Sequence, residues 1–147
     1  MHLTRFTDYG LRTLLYLALE PERLGVIAEI AAAYEISESH MTKVVHRLGQ
    51  AGLIETMRGR GGGIRLARPA AEIGLGAVVR ALEPELALVE CQAGAFCAIA
   101  GMCKLQNIVD EAAQAMLGVL DKYKLADVAG PHSKGLRRRL GLLDQAG

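Results

Sequence analysis

The sequence predicts a mainly α-helical fold with a small β-hairpin wing: a winged helix-turn-helix followed by a long helix. Apolar residues recur at helical spacing in several segments, and two short strand-like segments flank a glycine-rich turn. The composition is 51% hydrophobic but only 4% aromatic, so the core is built from Leu, Val, Ile and Ala, which favours helices over a β-sandwich. A chain of 147 residues has room for one compact domain plus one further element.

The first two helices follow from apolar spacing and from the residues at their ends. Thr4 or Thr7 can cap the first helix, and Pro21 ends it. A second, short helix fits Val26 to Tyr34. The apolar stripe of the first helix consists of Leu11, Leu14, Leu15, Ala18 and Leu19.

The third helix and the hairpin after it complete a winged helix-turn-helix. Ser37 is a good N-cap, and Gly52 lies just past the helix end. Two strands are predicted at Leu53 to Met57 and Ile64 to Ala67, joined by the glycine-rich turn Arg58 to Gly63. The inward face of the third helix carries Met41, Val44, Val45 and Leu48.

After the hairpin the sequence predicts a helix, a loop and a longer helix. The first helix fits Glu72 to Leu82, and the loop Glu90 to Met102 carries two cysteines and no sustained period. The long helix, Cys103 to about Tyr123, has more apolar surface than one small domain can cover, so we expect it to form a homodimer. Its apolar side carries Leu105, Ile108, Val109, Ala112, Met116, Val119, Leu120 and Tyr123.

These elements divide the chain into three parts. Residues 1–83 are predicted to form the winged helix-turn-helix, residues 84–130 the cysteine loop and the dimerisation helix, and residues 131–147 a basic tail. The tail follows Gly130-Pro131, carries Arg137, Arg138 and Arg139, and is expected to be flexible.

Basic residues concentrate in the third helix and the hairpin, although the net charge of the chain is only +1. Between His40 and Arg68 six Lys and Arg residues stand against one acid, Glu55, which gives a local excess of five positive charges. A confined basic patch of this kind is typical of a surface that binds double-stranded DNA. The alternative for the helix by itself is a solvated polar face beside a polar hairpin.

The polar side of the third helix and the tip of the wing supply the candidate DNA-binding residues. The N-terminal part of a recognition helix meets base edges in the major groove, and cationic side chains farther along meet phosphates. Glycines let the wing approach the duplex, so that its arginines can enter the minor groove. The candidates are Ser37, Ser39, His40, Thr42, Lys43, His46 and Arg47 on the helix and Arg58 and Arg60 on the wing.

Three cysteines, Cys91, Cys97 and Cys103, are separated by five residues each. An odd number of cysteines without an export signal argues against a disulfide framework. The spacing differs from the tight Cys-x2-Cys of zinc ribbons and bacterial ferredoxins, but three thiolates on a glycine-containing loop can converge on one soft metal centre. The spacing leaves four interpretations open: an iron–sulfur cluster with a fourth ligand from elsewhere, a zinc site, a redox thiol pair, or buried free cysteines.

Four segments of the chain carry a family resemblance: Leu3-Thr4-Arg5-Phe6-Thr7-Asp8-Tyr9, Ile36-Ser37 through His40 and Lys43 to Leu48, the wing turn Arg58-Gly59-Arg60-Gly61-Gly62-Gly63, and the cysteine triplet. These segments resemble the winged-helix iron–sulfur regulators, above all the nitric-oxide-sensing NsrR repressors and also their relatives, the IscR regulators of cluster biogenesis. The resemblance runs in order from the N-terminus to about Val128 and leaves the basic tail outside.

The resemblance implies a homodimeric repressor of operator DNA with one cluster per protomer, ligated by Cys91, Cys97 and Cys103, and with nitric oxide as the effector. It favours a [4Fe-4S] over a [2Fe-2S] cluster. It also implies an aspartate from the first helix of the partner protomer as fourth ligand, and the matching residue is Asp8. Asp8 has a plain interpretation too, as an acid in the first helical turn or as an ion-pair partner of Arg12.

Two positions depart from the IscR pattern. IscR-type proteins use a histidine three positions after the last cysteine, where this chain has Gln106, and IscR-like members often carry an acid at the position of Thr42. These departures favour the nitric-oxide sensor. The alternatives are an IscR-like regulator of cluster biogenesis and a winged-helix regulator that binds zinc or senses oxidants through its thiols.

Other classes of protein fit the sequence poorly. No stretch approaches the ~20 uninterrupted apolar residues of a membrane span, and the charged first residues lack the apolar run of a signal peptide. We therefore expect a cytoplasmic protein with no membrane partner. An enzyme with a cysteine nucleophile is not expected, because no cysteine has a neighbouring base in the sequence. His40 and His46 lie on the predicted DNA face, and His2 and His132 lie near the chain ends.

Overall fold

The structure, a computed structural model, describes residues 2–130 and 132–142. Helix α1 (Arg5–Leu19) begins where Thr4 Oγ1 accepts the N–H of Thr7 at 3.3 Å, which confirms Thr4 as the N-cap. Its Leu14 is fully buried at the centre of the core. Among the described residues no helix is long and apolar enough to cross a membrane.

Helices α2 (Ile27–Ala33) and α3 (Glu38–Gln50) form the helix-turn-helix. The turn between them passes through Glu35, whose φ of 56° lies in the left-handed region. Ser37 Oγ then accepts the N–H of His40 at 3.3 Å and starts α3 as predicted. The predicted inward stripe is buried in full, with Met41, Val44, Val45 and Leu48 each 6% exposed or less.

The wing is an antiparallel hairpin of β1 (Ile54–Met57) and β2 (Gly63–Leu66). Ile54 and Ile64 anchor it in the core. Backbone hydrogen bonds between Gly25 and Ile64, at 2.8 and 2.9 Å, attach its second strand to the segment before α2. The tip turns tightly at Gly62, where a Cβ would lie 2.2 Å from the carbonyl oxygen of Met57.

Helix α4 (Leu75–Leu82) begins later than the predicted Glu72, because the chain first makes a 3-10 turn (Ala70–Glu72) and then stays extended. The carbonyl of Ile73 accepts the N–H of Leu125 at 2.8 Å, and this pairing holds the extended part. Helix α5 (Leu105–Leu120) is shorter than predicted at both ends, and α6 (Leu125–Ala129) follows it.

The tail differs from the flexible segment predicted from the sequence. Residues 133–139 form helix α7 (Ser133–Arg139), which packs on the end of α1. The Arg137 guanidinium donates to the carbonyl oxygen of Leu19 and lies 3.4 Å from Glu20. Leu142 beyond the helix is buried. Apolar and basic anchors therefore hold the described part of the tail, while residues 131 and 143–147 lie outside the described residues.

Candidate DNA-binding surface and cysteine segment

The outer side of α3 is accessible along its whole length. Its stripe of buried apolar residues turns inward, so the polar residues between them face solvent. Thr42 Oγ1 donates to the carbonyl oxygen of Glu38 at 2.8 Å, which leaves its lone pairs as acceptors. The structure exposes every predicted residue of this surface: Ser37, Ser39, His40, Thr42, Lys43, His46, Arg47, Arg58 and Arg60.

Part of the positive charge on the wing is already paired. Arg65 lies opposite Glu55 in the hairpin register and forms an ion pair with it at 3.1 Å. Within residues 2–130 and 132–142 no ion pair involves Lys43, Arg58 or Arg60. These three cations are therefore the ones most available to phosphate groups.

Arg47 has a contact within the protein that its place on the polar face of α3 did not predict. Its Nη2 donates to the carbonyl oxygen of Ala81 at 2.9 Å, one residue before α4 ends. The side chain therefore ties α3 to the C-terminal end of α4.

The start of α1 borders α3, a contact that was not predicted from the sequence. Arg5, Phe6 and Tyr9 line an open cleft of about 250 Å³ together with His40 and Lys43. The sequence signal that could have revealed this surface is a cation, Arg5, followed by two aromatic residues one turn apart, Phe6 and Tyr9. The structure leaves both aromatic rings half-buried. These residues extend the accessible cationic and aromatic surface from α3 onto α1.

Asp8 lies in the first turn of α1 and is held by Arg12. Their side chains form an ion pair at 2.9 Å and are both a little under half exposed, at 45% for Asp8. The Arg12 guanidinium also lies 5.8 Å from the ring centroid of Tyr34, in the turn before α3. Burial raises the pKa of Tyr34 to about 12, and the positive charge of Arg12 opposes that rise.

Glu83 joins the start of α1 to the end of α4. Its carboxylate accepts the N–H of Thr4 at 3.2 Å and the hydroxyl of the buried Thr7 at 2.5 Å. Residues 4 and 83 are 79 positions apart, so no local pattern in the sequence could predict this contact. Pro84 comes directly after Glu83, and the segment with the three cysteines begins there.

We call residues 84–104 the cysteine segment. Cys91 lies in a 3-10 turn (Glu90–Ala93) closed by Gly94 with φ 85°. Cys97 opens a second turn, in which its carbonyl accepts the N–H of Ala100 at 3.1 Å, and Cys103 precedes α5 by two residues. All three are free thiols of intermediate exposure.

The structure does not bring the predicted ligands together. Within residues 2–130 and 132–142 no group of three or more His, Cys, Asp or Glu side chains is placed to hold a metal ion, so neither the three cysteines nor Asp8 belongs to an assembled site. The donor set still fits an iron–sulfur cluster chemically, because three free thiols lie on one segment of short turns.

Helix α5 divides its apolar residues between two faces. Ala113 and Leu117 are buried against the chain's own fold, and α5 contacts α4. On the other face the side chains of Leu105, Ile108 and Val119 are 57%, 61% and 51% exposed. The exposed face continues through Ala112 and Ala115, so its residues follow the alternating three- and four-residue spacing of a helix–helix seam.

Residues 3–131 match the profile of the family Rrf2, described as "Iron-dependent Transcriptional regulator". The chain belongs to the Rrf2 family. The match ends at residue 131, so helix α7 lies outside the Rrf2 region.

Curated Rrf2 relatives are similar to this chain over most of its length. A protein of Geobacillus kaustophilus named "HTH-type transcriptional regulator NsrR" is 53% identical over 131 residues, which cover 87% of this chain and 89% of the relative. A protein of Bacillus subtilis with the same name is 48% identical over 131 residues, covering 87% and 90%. The resemblance to NsrR predicted from the sequence is confirmed.

Solved Rrf2 structures share the fold. CymR, the global cysteine regulator of B. subtilis, superposes with a TM-score of 0.72 at 25% identity, covering 88% of this chain and 96% of CymR. IscR of T. potens superposes with a TM-score of 0.71 at 25% identity, covering 87% and 85%. The chain is a transcriptional regulator of the Rrf2 family rather than an enzyme, which confirms both the winged-helix prediction and the predicted class.

Proposed function

We propose that this Rrf2 chain is a nitric-oxide-responsive repressor that binds operator DNA as a homodimer under the control of an iron–sulfur cluster. One observation carries the proposal. The three free thiols lie on a single segment that starts at the end of α4, where α1 and the recognition helix are also attached. The resemblance to NsrR repressors supports nitric oxide as the effector.

Cys91, Cys97 and Cys103 would hold the cluster, together with Asp8 of the partner subunit. Three thiolates leave one ligand position of a [4Fe-4S] cluster for another donor, and a carboxylate can supply it. Freeing Asp8 from Arg12 costs little, because an exposed ion pair of this kind on a helix stabilises by about 0.3–0.5 kcal/mol. A bound cluster supplies iron sites that react with nitric oxide.

The chain's own contacts connect the cysteine segment to the DNA-binding surface. Glu83 at the root of the segment holds the start of α1, and Arg47 of the recognition helix holds the end of α4. Ligands from both protomers would fix the separation of the two recognition helices, which must match half-sites about 34–36 Å apart. Loss of the Asp8 ligand frees that separation and lowers operator affinity.

The exposed surface of α3 and the wing would bind the operator. Ser37, Ser39, His40 and Thr42 stand at the N-terminal part of α3, where a recognition helix reads base edges. The residues proposed for phosphates and the minor groove are Lys43, His46, Arg47, Arg58 and Arg60. The exposed face of α5 supports dimerisation, because it is apolar and follows the spacing of a helix seam.

Protein purified without air tests the cluster directly. We expect absorption and Mössbauer spectra of a [4Fe-4S] cluster that change on adding nitric oxide, with a parallel loss of operator binding. Cys91→Ala, Cys97→Ala and Cys103→Ala should each deplete iron and sulfide and cost high-affinity operator binding, since the chain has no spare cysteine.

Ala98→Ser, an exposed change in the same segment, is the matched control and should keep the cluster. A colourless protein that retains zinc, or a cluster whose loss leaves operator affinity unchanged, would contradict the proposal.

A further inference from the structure

Gln92, next to Cys91, makes three hydrogen bonds with its side-chain amide. Its Oε1 accepts the N–H of Leu88 at 2.6 Å and the N–H of Val89 at 3.1 Å. Its Nε2 donates to Oδ1 of Asp110 at 2.5 Å. Only this orientation of the amide satisfies both sets of partners, because backbone N–H groups donate and a carboxylate only accepts.

The turn that carries Cys91 is held at both of its ends. Gln92 accepts the N–H groups of Leu88 and Val89 just before the 3-10 turn, and at the other end the N–H of Ala95 donates to the carbonyl oxygen of Glu90 at 3.1 Å. Asp110 belongs to α5, whose first residue comes two positions after Cys103. One side chain therefore relates the Cys91 turn to the helix that starts beside Cys103.

We propose that Gln92 and Asp110 are positioning residues: they hold the Cys91 turn against the helix that follows Cys103, so that less of the cysteine segment must be ordered when the thiols bind a shared metal centre. The inference rests on the proposed function and goes beyond it by naming a device outside the ligand set. The amide is suited to the task because it donates and accepts at once, so a single residue links the backbone of the turn to a carboxylate.

A positioning contact should raise metal affinity because the rest of the cysteine segment is flexible. Its remaining backbone hydrogen bonds are short-range turns, and its two left-handed glycines, Gly94 and Gly101, permit many conformations when free. Ligands that must be ordered on binding lose affinity, and removing a residue that orients a ligand typically costs about 10- to 100-fold in metal affinity.

The test uses the full-length chain freed of metal, with cobalt(II) alone as the probe, titrated by its thiolate-to-metal absorption band. Gln92→Glu removes the donor toward Asp110 and sets two carboxylates against each other, so cobalt(II) affinity should fall about tenfold or more. Asp110→Asn keeps an acceptor for Gln92 and should stay near wild type. The double variant Gln92→Glu/Asp110→Asn restores a donor–acceptor pair with reversed roles and should recover the affinity.

Gln114→Glu is the matched control, because it adds the same charge at an exposed position of α5 one turn from Asp110. If Gln92→Glu binds cobalt(II) as tightly as wild type, the positioning role is wrong while the proposed function stands. Equal weakening by Gln114→Glu, or no recovery in the double variant, would also overturn it. If the wild type shows no thiolate-bound cobalt(II), the proposed function fails and this inference fails with it.

Iron release provides a second readout on protein loaded with its cluster. Gln92→Glu should lose iron to a chelator about tenfold faster than wild type, and the double variant should lose it at the wild-type rate. A residue that merely stabilised the fold would instead lower the thermal unfolding temperature of the metal-free chain, which Gln92→Glu should leave near the wild-type value. Unchanged iron release in Gln92→Glu would contradict the inference.

Discussion

Lys43 and Arg60 each carry one positive charge. Their contribution to phosphate binding can therefore be measured separately from the recognition of bases. Removing either cation should weaken binding to all sequences and lower the slope of log affinity against log salt by about one unit. Ser39→Ala should instead change the preference among operator variants, by about 0.5–1.5 kcal/mol at the base pair that its single hydroxyl contacts. Fluorescence anisotropy at several salt concentrations, on operator and scrambled duplexes, measures both effects.

Lys122→Ala is the control for this comparison, because Lys122 is an exposed cation at the end of α5, outside the proposed DNA surface. Its salt slope should equal that of the wild type. If Lys43→Ala and Arg60→Ala also leave the slope and the affinity unchanged, α3 and the wing are not the DNA-binding surface.

The predictability of individual residues depended on how local their contacts are. Thr4 and Ser37 cap their helices through hydrogen bonds that span three residues, and both were predicted from the sequence. Glu83, by contrast, receives its hydrogen bonds from residues 76 and 79 positions away. A contact of that kind is created only when the chain folds, so a single sequence carries no pattern for it.

At the scale of elements, the exposed face of α5 offers a test of the dimer. Val119→Asp would place a charge in the proposed seam, at a cost of about 3 kcal/mol if the charge stays unpaired, which weakens dimerisation on the order of a hundredfold. Sedimentation over a range of concentrations measures the change.

Gln114→Asp adds the same charge at another exposed position of α5 and should leave the dimer intact. Met116 belongs to the predicted apolar stripe but is a poorer site for a substitution that tests the dimer. It is half-buried and lines a cleft formed with Leu3, Glu83 and Leu88 of its own chain. A dimer that is unaffected by Val119→Asp would place the interface elsewhere.

Strongly periodic elements were predicted well, and elements decided by long-range packing were not. The stripe of α3 and the paired strands of the wing follow from local spacing, and both appear where expected. The late start of α4 depends on pairing with the segment before α6, and α7 depends on an anchor between Arg137 and the end of α1. A basic run such as Arg137 to Arg139 suggests solvation, so its helical order was missed.

The candidate site could be predicted only in part, because some of its contacts also depend on long-range packing. Residue types and their order identified the cysteines and the polar face of α3 as candidates, since these depend on chemistry and helical period. Asp8 was a candidate only through the family resemblance. The hydrogen bonds that attach the cysteine segment to the fold, through Glu83, Gln92 and Arg47, join distant parts of the chain. They therefore became visible only in the folded structure.

At the scale of the whole molecule, Asp8 is the residue that would join the two protomers. Asp8→Ala removes a carboxylate but none of the three thiolates, so we expect the cluster to form and to lose iron faster. Operator affinity should fall although the cluster is present, because the link between the protomers is lost. Iron content, iron release and operator affinity are measured together on the same preparation without air.

Arg12→Ala distinguishes two roles of Asp8: the proposed link between the protomers, and the ion pair with Arg12 within α1. It breaks the same Asp8–Arg12 pair but keeps the carboxylate, so its rate of iron loss should stay near wild type. The stability lost in Asp8→Ala through the helix dipole is small, about 0.3–1 kcal/mol, and cannot by itself explain a large fall in operator affinity. If Asp8→Ala retains both wild-type iron release and wild-type affinity, Asp8 acts only as an acid in the first turn of α1, and the fourth ligand must come from another residue.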